Sequence, residues 1–340
     1  MRILMVAPPW TPIPPPLYGG IELVVDQLCR GLMDLGEEIE LVTTGDSTCS
    51  VPKRWLLEKA EGMRIGMAVP ELRHILFARE QFSGFDIVHD HSVAGPVLAS
   101  LAKDDIPVVT TIHGPFNDEL IDIYRQTTRK VPLIAISHSQ ANSTDQVEVS
   151  AVIHHGLNAN DFPFGSGSGD YLVFLGRMSP DKGAHRAIEV AKTTGDKLII
   201  AAKMREPWEI DYFEEFVKPH LGDDIIYEGE VPHERKLEIL AGAKATLFPI
   251  RWNEPFGMVM LESLACGTPV IAFKEGAAPE VITDGVSGYL VDGIEEMIDA
   301  VGNISNIDRE KCRSEVKGRF STENMAKAHL DFYRKIIDQK

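Results

Sequence analysis

Four cysteines in 340 residues (Cys29, Cys49, Cys266, Cys312) are too few for a disulfide scaffold, and no CxxC or zinc spacing joins them. They read as reduced thiols. Positive charge is short as well: 34 Lys and Arg stand against 51 Asp and Glu, a formal charge of −17. The deficit is shared, with 12 basic against 21 acidic residues up to position 165 and 22 against 30 beyond it. That balance argues against a nucleic-acid partner and against strong electrostatic docking on anionic lipid, while a peripheral membrane contact through a local patch stays open. No hydrophobic run reaches the length of a membrane span. The apolar start Met1–Ala7 is too short for a signal peptide and is broken by Pro8 and Pro9. The expected location is the cytoplasm.

Two motifs are missing. There is no GxGxxG, so no dinucleotide fingerprint fits. There is also no Asp-x-Asp at a strand end to hold a hard cation. Asp104-Asp105 reads as a surface turn, and Asp223-Asp224 precedes a strand. His89 and His91, two apart on one side of a strand, lack an evident third ligand, so no metal site is expected.

What is present is a repeated alternation of short apolar runs and longer helical ones. Strands are expected at 3–6, 39–43, 87–89, 108–112, 133–136 and 152–154, with helices at 21–35, 70–82, 93–102 and 117–128. Gly165-Ser166-Gly167-Ser168-Gly169 reads as a flexible linker and hinge. The alternation then restarts, with strands at 171–175, 198–202, 225–227, 245–248, 270–272 and 289–291. Helices are expected at 184–192, 212–217, 234–240 and 258–265, with a long terminal one at 322–337. Mostly apolar strands suit parallel sheets covered on both faces. The fold class is therefore α/β, with two Rossmann-like doubly wound domains, 1–165 and 166–321, and ligands expected in the cleft between them.

The stretch Glu254-Pro-Phe-Gly-Met258 to Gly267 carries the strongest chemical signal. Two carboxylates, Glu254 and Glu262, stand with seven residues between them. Pro255 and Gly257 make a turn after an apolar strand, and Met258–Ala265 reads as a helix closed by Gly267. Glu262 falls inside a helix that is otherwise apolar, where a solvated surface charge is a poor fit and a partner is needed. The backbone N–H groups of Phe256, Gly257 and Met258 open the helix and favour oxygen-rich ligands. Gly19 and Gly20 open another helix after the first strand, where a plain Pro/Gly turn is the alternative. Arg177, at the end of a strand, and Lys182, at the mouth of the next helix, offer a planar fork and a point charge to a diphosphate; a solvated basic loop is the alternative. His113 ends a strand and, taken alone, reads as a structural histidine.

In their order along the chain, these motifs resemble the retaining glycosyltransferases of the GT-B fold, the group 1 and family 4-like enzymes typified by bacterial mannosyl- and glucosyltransferases. The ordered set is Tyr18-Gly19-Gly20, His113, Gly176-Arg177 with Lys182-Gly183, Gly229-Glu230-Val231, the Glu254/Glu262 pair, Gly276–Glu280, and Asp284-Gly285 with Gly288. The resemblance implies transfer of a sugar from a nucleoside-diphosphate sugar, UDP- or GDP-linked, to a hydroxyl acceptor that is a glycan, a lipid-linked molecule or a small molecule. It implies no cofactor and no metal. Gly19 and Gly20 would hold the donor phosphates, and Arg177 and Lys182 would neutralise the diphosphate. Glu254 with Phe256, Gly257 and Met258 would hold the sugar, and Glu262 the ribose. Gly229 and Val231 would cradle the base, His113 would lie near the anomeric centre, and helix 322–340 would pack back on the first domain. One departure stands at Ala201-Ala202-Lys203-Met204, where the family often has Ala-Gly-x-Gly near the base. A sugar-nucleotide epimerase of the same architecture, a phosphorylase-like enzyme and a two-domain sugar-binding protein are the alternatives.

Overall fold

The computed structural model describes residues 1–102 and 105–339, so Asp104 of the expected Asp104-Asp105 turn lies outside the described residues. The chain divides into two compact units, Leu157–Ser321 and the remainder.

In the first unit the strands are β1 (Arg2–Val6), β2 (Glu38–Val42), β3 (Lys53–Arg54), β4 (Ile87–Asp90), β5 (Val108–Thr111), β6 (Leu133–Ala135) and β7 (Ala151–Val152). They form one parallel sheet in the order β3-β2-β1-β4-β5-β6-β7. The crossovers include α1 (Gly20–Asp34), α2 (Ala68–Glu80), α3 (Ala94–Leu101), α4 (Asp118–Thr127) and the single turn α5 (His138–Ala141). Every residue of β4 and β5 is buried, which is the pattern a sheet covered on both faces requires. The last strand begins earlier than its apolar run suggests, so His154 and His155 follow it rather than belong to it. The two-residue edge strand β3 has no apolar signal at all, because both its residues are basic.

The second unit repeats the scheme with β8 (Tyr171–Arg177), β9 (Lys197–Lys203), β10 (Ile225–Gly229), β11 (Ala245–Phe248), β12 (Val270–Phe273) and β13 (Gly288–Val291). These are parallel in the order β10-β9-β8-β11-β12-β13. Helices α6 (Ala184–Thr194), α7 (Pro207–Phe216), α8 (His233–Gly242), α9 (Met258–Ala265) and α10 (Ala278–Val281) make the crossovers, and α11 (Ile294–Gly302) and α12 (Arg309–Arg319) follow the last strand. Leu172, Phe174, Ile200, Leu247, Ile271 and Phe273 are at the centre of its core, each at most 2% exposed. Burying one such side chain is worth about 1.5–3 kcal/mol. Helix α7 starts five residues before the expected position, at a Pro in its first turn, with Glu206 and Glu209 forming a reciprocal capping box. The polar α12 carries only Cys312 and Val316 buried, an i,i+4 pair too sparse to read as a helical stripe.

The boundary between the units lies at Gly156–Leu157, and the Gly165–Gly169 stretch is not a free hinge. It is held inside the second unit: Gly165 N–H donates to Cys266 O at 3.0 Å and Gly169 N–H to Gly242 O at 2.9 Å. Arg309 on α12 donates to Gly165 O, Ala243 O and Thr268 Oγ1 at 2.8, 3.0 and 2.6 Å. Glycine is needed at 165 for closeness rather than for flexibility, since a Cβ there would stand 1.8 Å from Ala241 O. The C-terminal helix α13 (Thr322–Asp338) belongs to the first unit, with Tyr333 Oη 2.6 Å from His89 Nδ1 and Thr322 Oγ1 donating to Gln27 Oε1 at 2.6 Å.

Candidate functional site

Open parallel sheets bind ligands beyond the carboxyl ends of their strands, where the strand order reverses. In the second sheet that point lies between β8 and β11. Strand β8 ends at Arg177 and β11 at Phe248, so the loops after them, 178–183 and 249–257, share this edge. They are tied together by Arg251 N–H, which donates to Asp181 O at 2.8 Å.

Glu254 and Lys182 meet across these loops. The Lys182 ammonium contacts Glu254 Oε2, the Trp252 indole N–H donates to the same oxygen at 2.8 Å, and Lys182 Nζ lies 4.5 Å from the Trp252 ring centre. Glu254 is only 9% exposed, so it is not a solvated surface charge. Its backbone is clamped by Ala277, whose N–H donates to Glu254 O at 3.0 Å. Gly276 permits that approach, because a Cβ there would come within 2.4 Å of the Glu254 backbone.

Gly257 follows with a left-handed φ of 86° and caps α9, and Phe256 is buried beside it. Every residue from Val259 to Ala265 is buried, Glu262 included at 4% exposure. The partner this carboxylate needs is Lys236 of α8, whose Nζ contacts Glu262 Oε1. Lys236 was not anticipated, although its spacing from Ile239 and Leu240 places it on the buried stripe of α8. Nearby, β10 ends at Gly229 with a φ of 78° and an irregular register against β9, and Val231 is partly exposed.

Arg177 is paired rather than loose. Its Nε donates to Glu209 Oε1 at 3.1 Å, and its guanidinium carbon lies 5.5 Å from the centre of the Trp208 ring. In the departing Ala201-Ala202-Lys203-Met204 run, which is the end of β9 rather than a turn, Lys203 is half-buried. Burial is the main cause that lowers its ammonium from the ordinary range; Arg205 adds to the effect and Glu230 opposes it. Lys203, Trp208, Glu209 and Trp252 are further polar or aromatic groups of this edge that carry no recognisable motif.

The other candidate residues are in the first unit. Gly19 caps α1 and Gly20 is its first residue, with Leu23 N–H donating to Gly19 O at 3.2 Å. His113 follows β5, and its Nε2 lies 2.9 Å from His91 Nδ1. It belongs to a row of imidazoles in which His89 and His91, His91 and His113, and His113 and His155 have ring centres 4.1, 5.2 and 5.3 Å apart. Burial first, and His329 second, lower His113 to about 3, so the ring is neutral at ordinary pH. His91 Nε2 is buried with no hydrogen-bond partner. Among the described residues no group of three or more His, Cys, Asp or Glu is arranged to hold a metal, the His89-Asp90-His91 run included.

Residues 18–161 match the model of Glycosyltransferase Family 4, and residues 160–317 match that of Glycosyl transferases group 1. The chain belongs to the glycosyltransferases. A glycogen synthase of Mycobacterium tuberculosis is 26% identical over 85% of this chain and 81% of its own. A D-inositol 3-phosphate glycosyltransferase of Thermobifida fusca reaches 33%, over 36% of this chain and 31% of its own. The fold is GT-B, shared with sucrose-phosphate synthase of Thermosynechococcus elongatus at a TM-score of 0.81, 17% identity and full coverage of both chains. HepE of Anabaena, solved with UDP and glucose, has a TM-score of 0.78 at 18% identity over 98% of this glycosyltransferase and 99% of its own chain. An enzyme of this family is not a non-catalytic sugar-binding protein, and that alternative falls.

Proposed function

We propose that this glycosyltransferase takes a sugar from a nucleoside-diphosphate sugar and places it on a hydroxyl acceptor with retention of anomeric configuration, without a divalent metal. The observation that carries the reading is the contact of Lys182 and Trp252 with the buried Glu254, at the same strand-end edge as Arg177, where a doubly wound sheet binds its ligand. A carboxylate that accepts from an indole N–H and an ammonium is fixed in place and suited to hold sugar hydroxyls. Arg177 and Lys182 supply two cations to a leaving diphosphate, and the starts of α6 and α9 add the partial positive charge of helix ends. Glu262 takes the ribose hydroxyls, with Gly229 and Val231 at the base. UDP is the favoured nucleotide because HepE was solved with UDP and UDP-glucose; GDP is the second candidate.

In the chemical step the bond from the anomeric carbon to the diphosphate oxygen breaks, and the acceptor oxygen bonds to that carbon on the same face. The departing phosphate oxygen accepts the hydroxyl proton, so the balance needs no protein nucleophile. The test is incubation with UDP- and GDP-sugars, with and without glycoside acceptors, followed by measurement of free nucleoside diphosphate. Acceptor-dependent release supports the proposal. Interconversion of nucleotide sugars without release would instead favour an epimerase, and no turnover of any donor would remove the reading.

A further inference from the structure

Arg177 ends β8 with its side chain 43% exposed, a position at which a long cation ordinarily samples many rotamers. Here it is restrained from one side only. Nε donates to Glu209 Oε1, whereas Nη1 and Nη2 make no hydrogen bond among the described residues. Glu209 itself cannot turn away. Its side chain is 3% exposed, and its Oε2 accepts the backbone N–H groups of Arg205 and Glu206 at 2.8 and 3.1 Å. Trp208, one residue earlier and 44% exposed, lies 5.5 Å from the guanidinium carbon. The buried Glu209 carboxylate needs partners, and the amides at the start of α7 supply them at Oε2. The cap does not call for Nε of a half-exposed arginine on the other oxygen, nor for an exposed indole at cation–π distance; together these fix the direction of the guanidinium.

We propose that Glu209 and Trp208 are positioning residues for the diphosphate: they hold Arg177 through Nε and its face, leaving the Nη1/Nη2 fork for the phosphate oxygens. The inference rests on the donor reading above. Glu209 accepts from two backbone N–H groups at Oε2 and from Arg177 only through Nε, so it leaves the fork uncovered. The whole device comes from the first turn of α7, directly after the Ala201-Ala202-Lys203-Met204 departure. A different sequence at the end of β9 is thus followed by its own support for the arginine that ends β8.

The experiment is calorimetric binding of UDP and UMP, with GDP and GMP as the second pair, to the full chain and to Arg177→Ala, Glu209→Gln, Trp208→Ala, Trp208→Phe and the double variant Arg177→Ala/Glu209→Gln. Loss of one charged hydrogen bond predicts about tenfold weaker diphosphate binding for Arg177→Ala and Glu209→Gln, with monophosphate binding within twofold of the parent. The double variant should bind no more weakly than Arg177→Ala alone. Trp208→Phe should bind diphosphate more tightly than Trp208→Ala, and these surface changes keep the test available if Glu209→Gln fails to fold. Equal losses for diphosphate and monophosphate, or additive losses in the double variant, would overturn the proposal and leave Glu209 a helix cap. If the parent chain binds no nucleoside diphosphate, the donor reading fails first and takes this inference with it.

Discussion

Lys236→Met should be strongly destabilising, because it breaks a buried ion pair from one side. The ammonium and the Glu262 carboxylate are 11% and 5% exposed, and they contact each other directly. Methionine keeps most of the length and removes the charge, leaving a carboxylate buried in an apolar helix. Breaking a buried pair from one side costs roughly 3–5 kcal/mol. For a protein of this size that corresponds to a fall in Tm on the order of 10 °C. The sign with pH follows from the orphaned group. A buried carboxyl without a counter-charge favours its neutral form, so the folded variant binds a proton more readily than the unfolded chain. Its penalty is therefore smallest in acid and grows as pH rises. The assay is thermal unfolding of parent and variant at pH 5.5 and pH 8, together with Lys236→Met/Glu262→Gln, in which no orphaned charge remains. The double variant should recover much of the loss. A Tm deficit that is equal at both pH values, or a double variant as unstable as the single one, would refute the reasoning.

The first unit should lose stability in acid. Burial lowers His74 and His329 to about 4 and His113 to about 3, below the ordinary value near 6.5 of the unfolded chain, so full stability is present above 6.5 and declines as pH falls toward 4. Each of His74 and His329 is worth on the order of 3 kcal/mol at the acid end. Asp90, raised to about 6 by burial, acts in the opposite direction but is a single group. Urea unfolding at pH 7 and pH 5 checks this, and an unchanged midpoint would contradict it. Gly276→Ala should cut turnover at least tenfold by displacing the Glu254 loop, given the 2.4 Å clash, whereas Gly302→Ala, with open space around it and no left-handed φ, should not; equal activity in the two would count against the clamp. Transfer should survive excess EDTA, while Arg177→Ala or Lys182→Ala each lowers it by about 100-fold or more; loss on chelation with recovery in Mg²⁺ would reassign both cations.

Both sheets, the basic edge strand β3 excepted, were legible from their apolar runs, because a strand buried on both faces leaves little choice of residue. Glu262 was legible for the opposite reason: a charge inside the helix Val259–Ala265 has to be paired. What escaped was the identity of its partner, since the pairing joins two helices and sequence spacing reports only neighbours within one. Glu209 escaped for the same reason, as did the restraint it places on Arg177. The Gly165–Gly169 stretch misled because glycine serves close packing as well as flexibility, and only the carbonyls of Ala241 and Gly242 tell the two apart. Helix α12 was hidden by its polarity, although Arg309 on it holds that same stretch in place.

The central claim is that the Glu254 and Glu262 edge of the second unit is the donor site, with the two carboxylates serving different parts of the donor. Titration of UDP into Glu254→Gln and Glu262→Gln, set beside their turnover of UDP-glucose with an acceptor, tests it most directly. The account predicts that Glu262→Gln weakens free UDP at least tenfold, and that Glu254→Gln binds UDP within about twofold of the parent while losing turnover. Equal loss of UDP binding in both variants would contradict it.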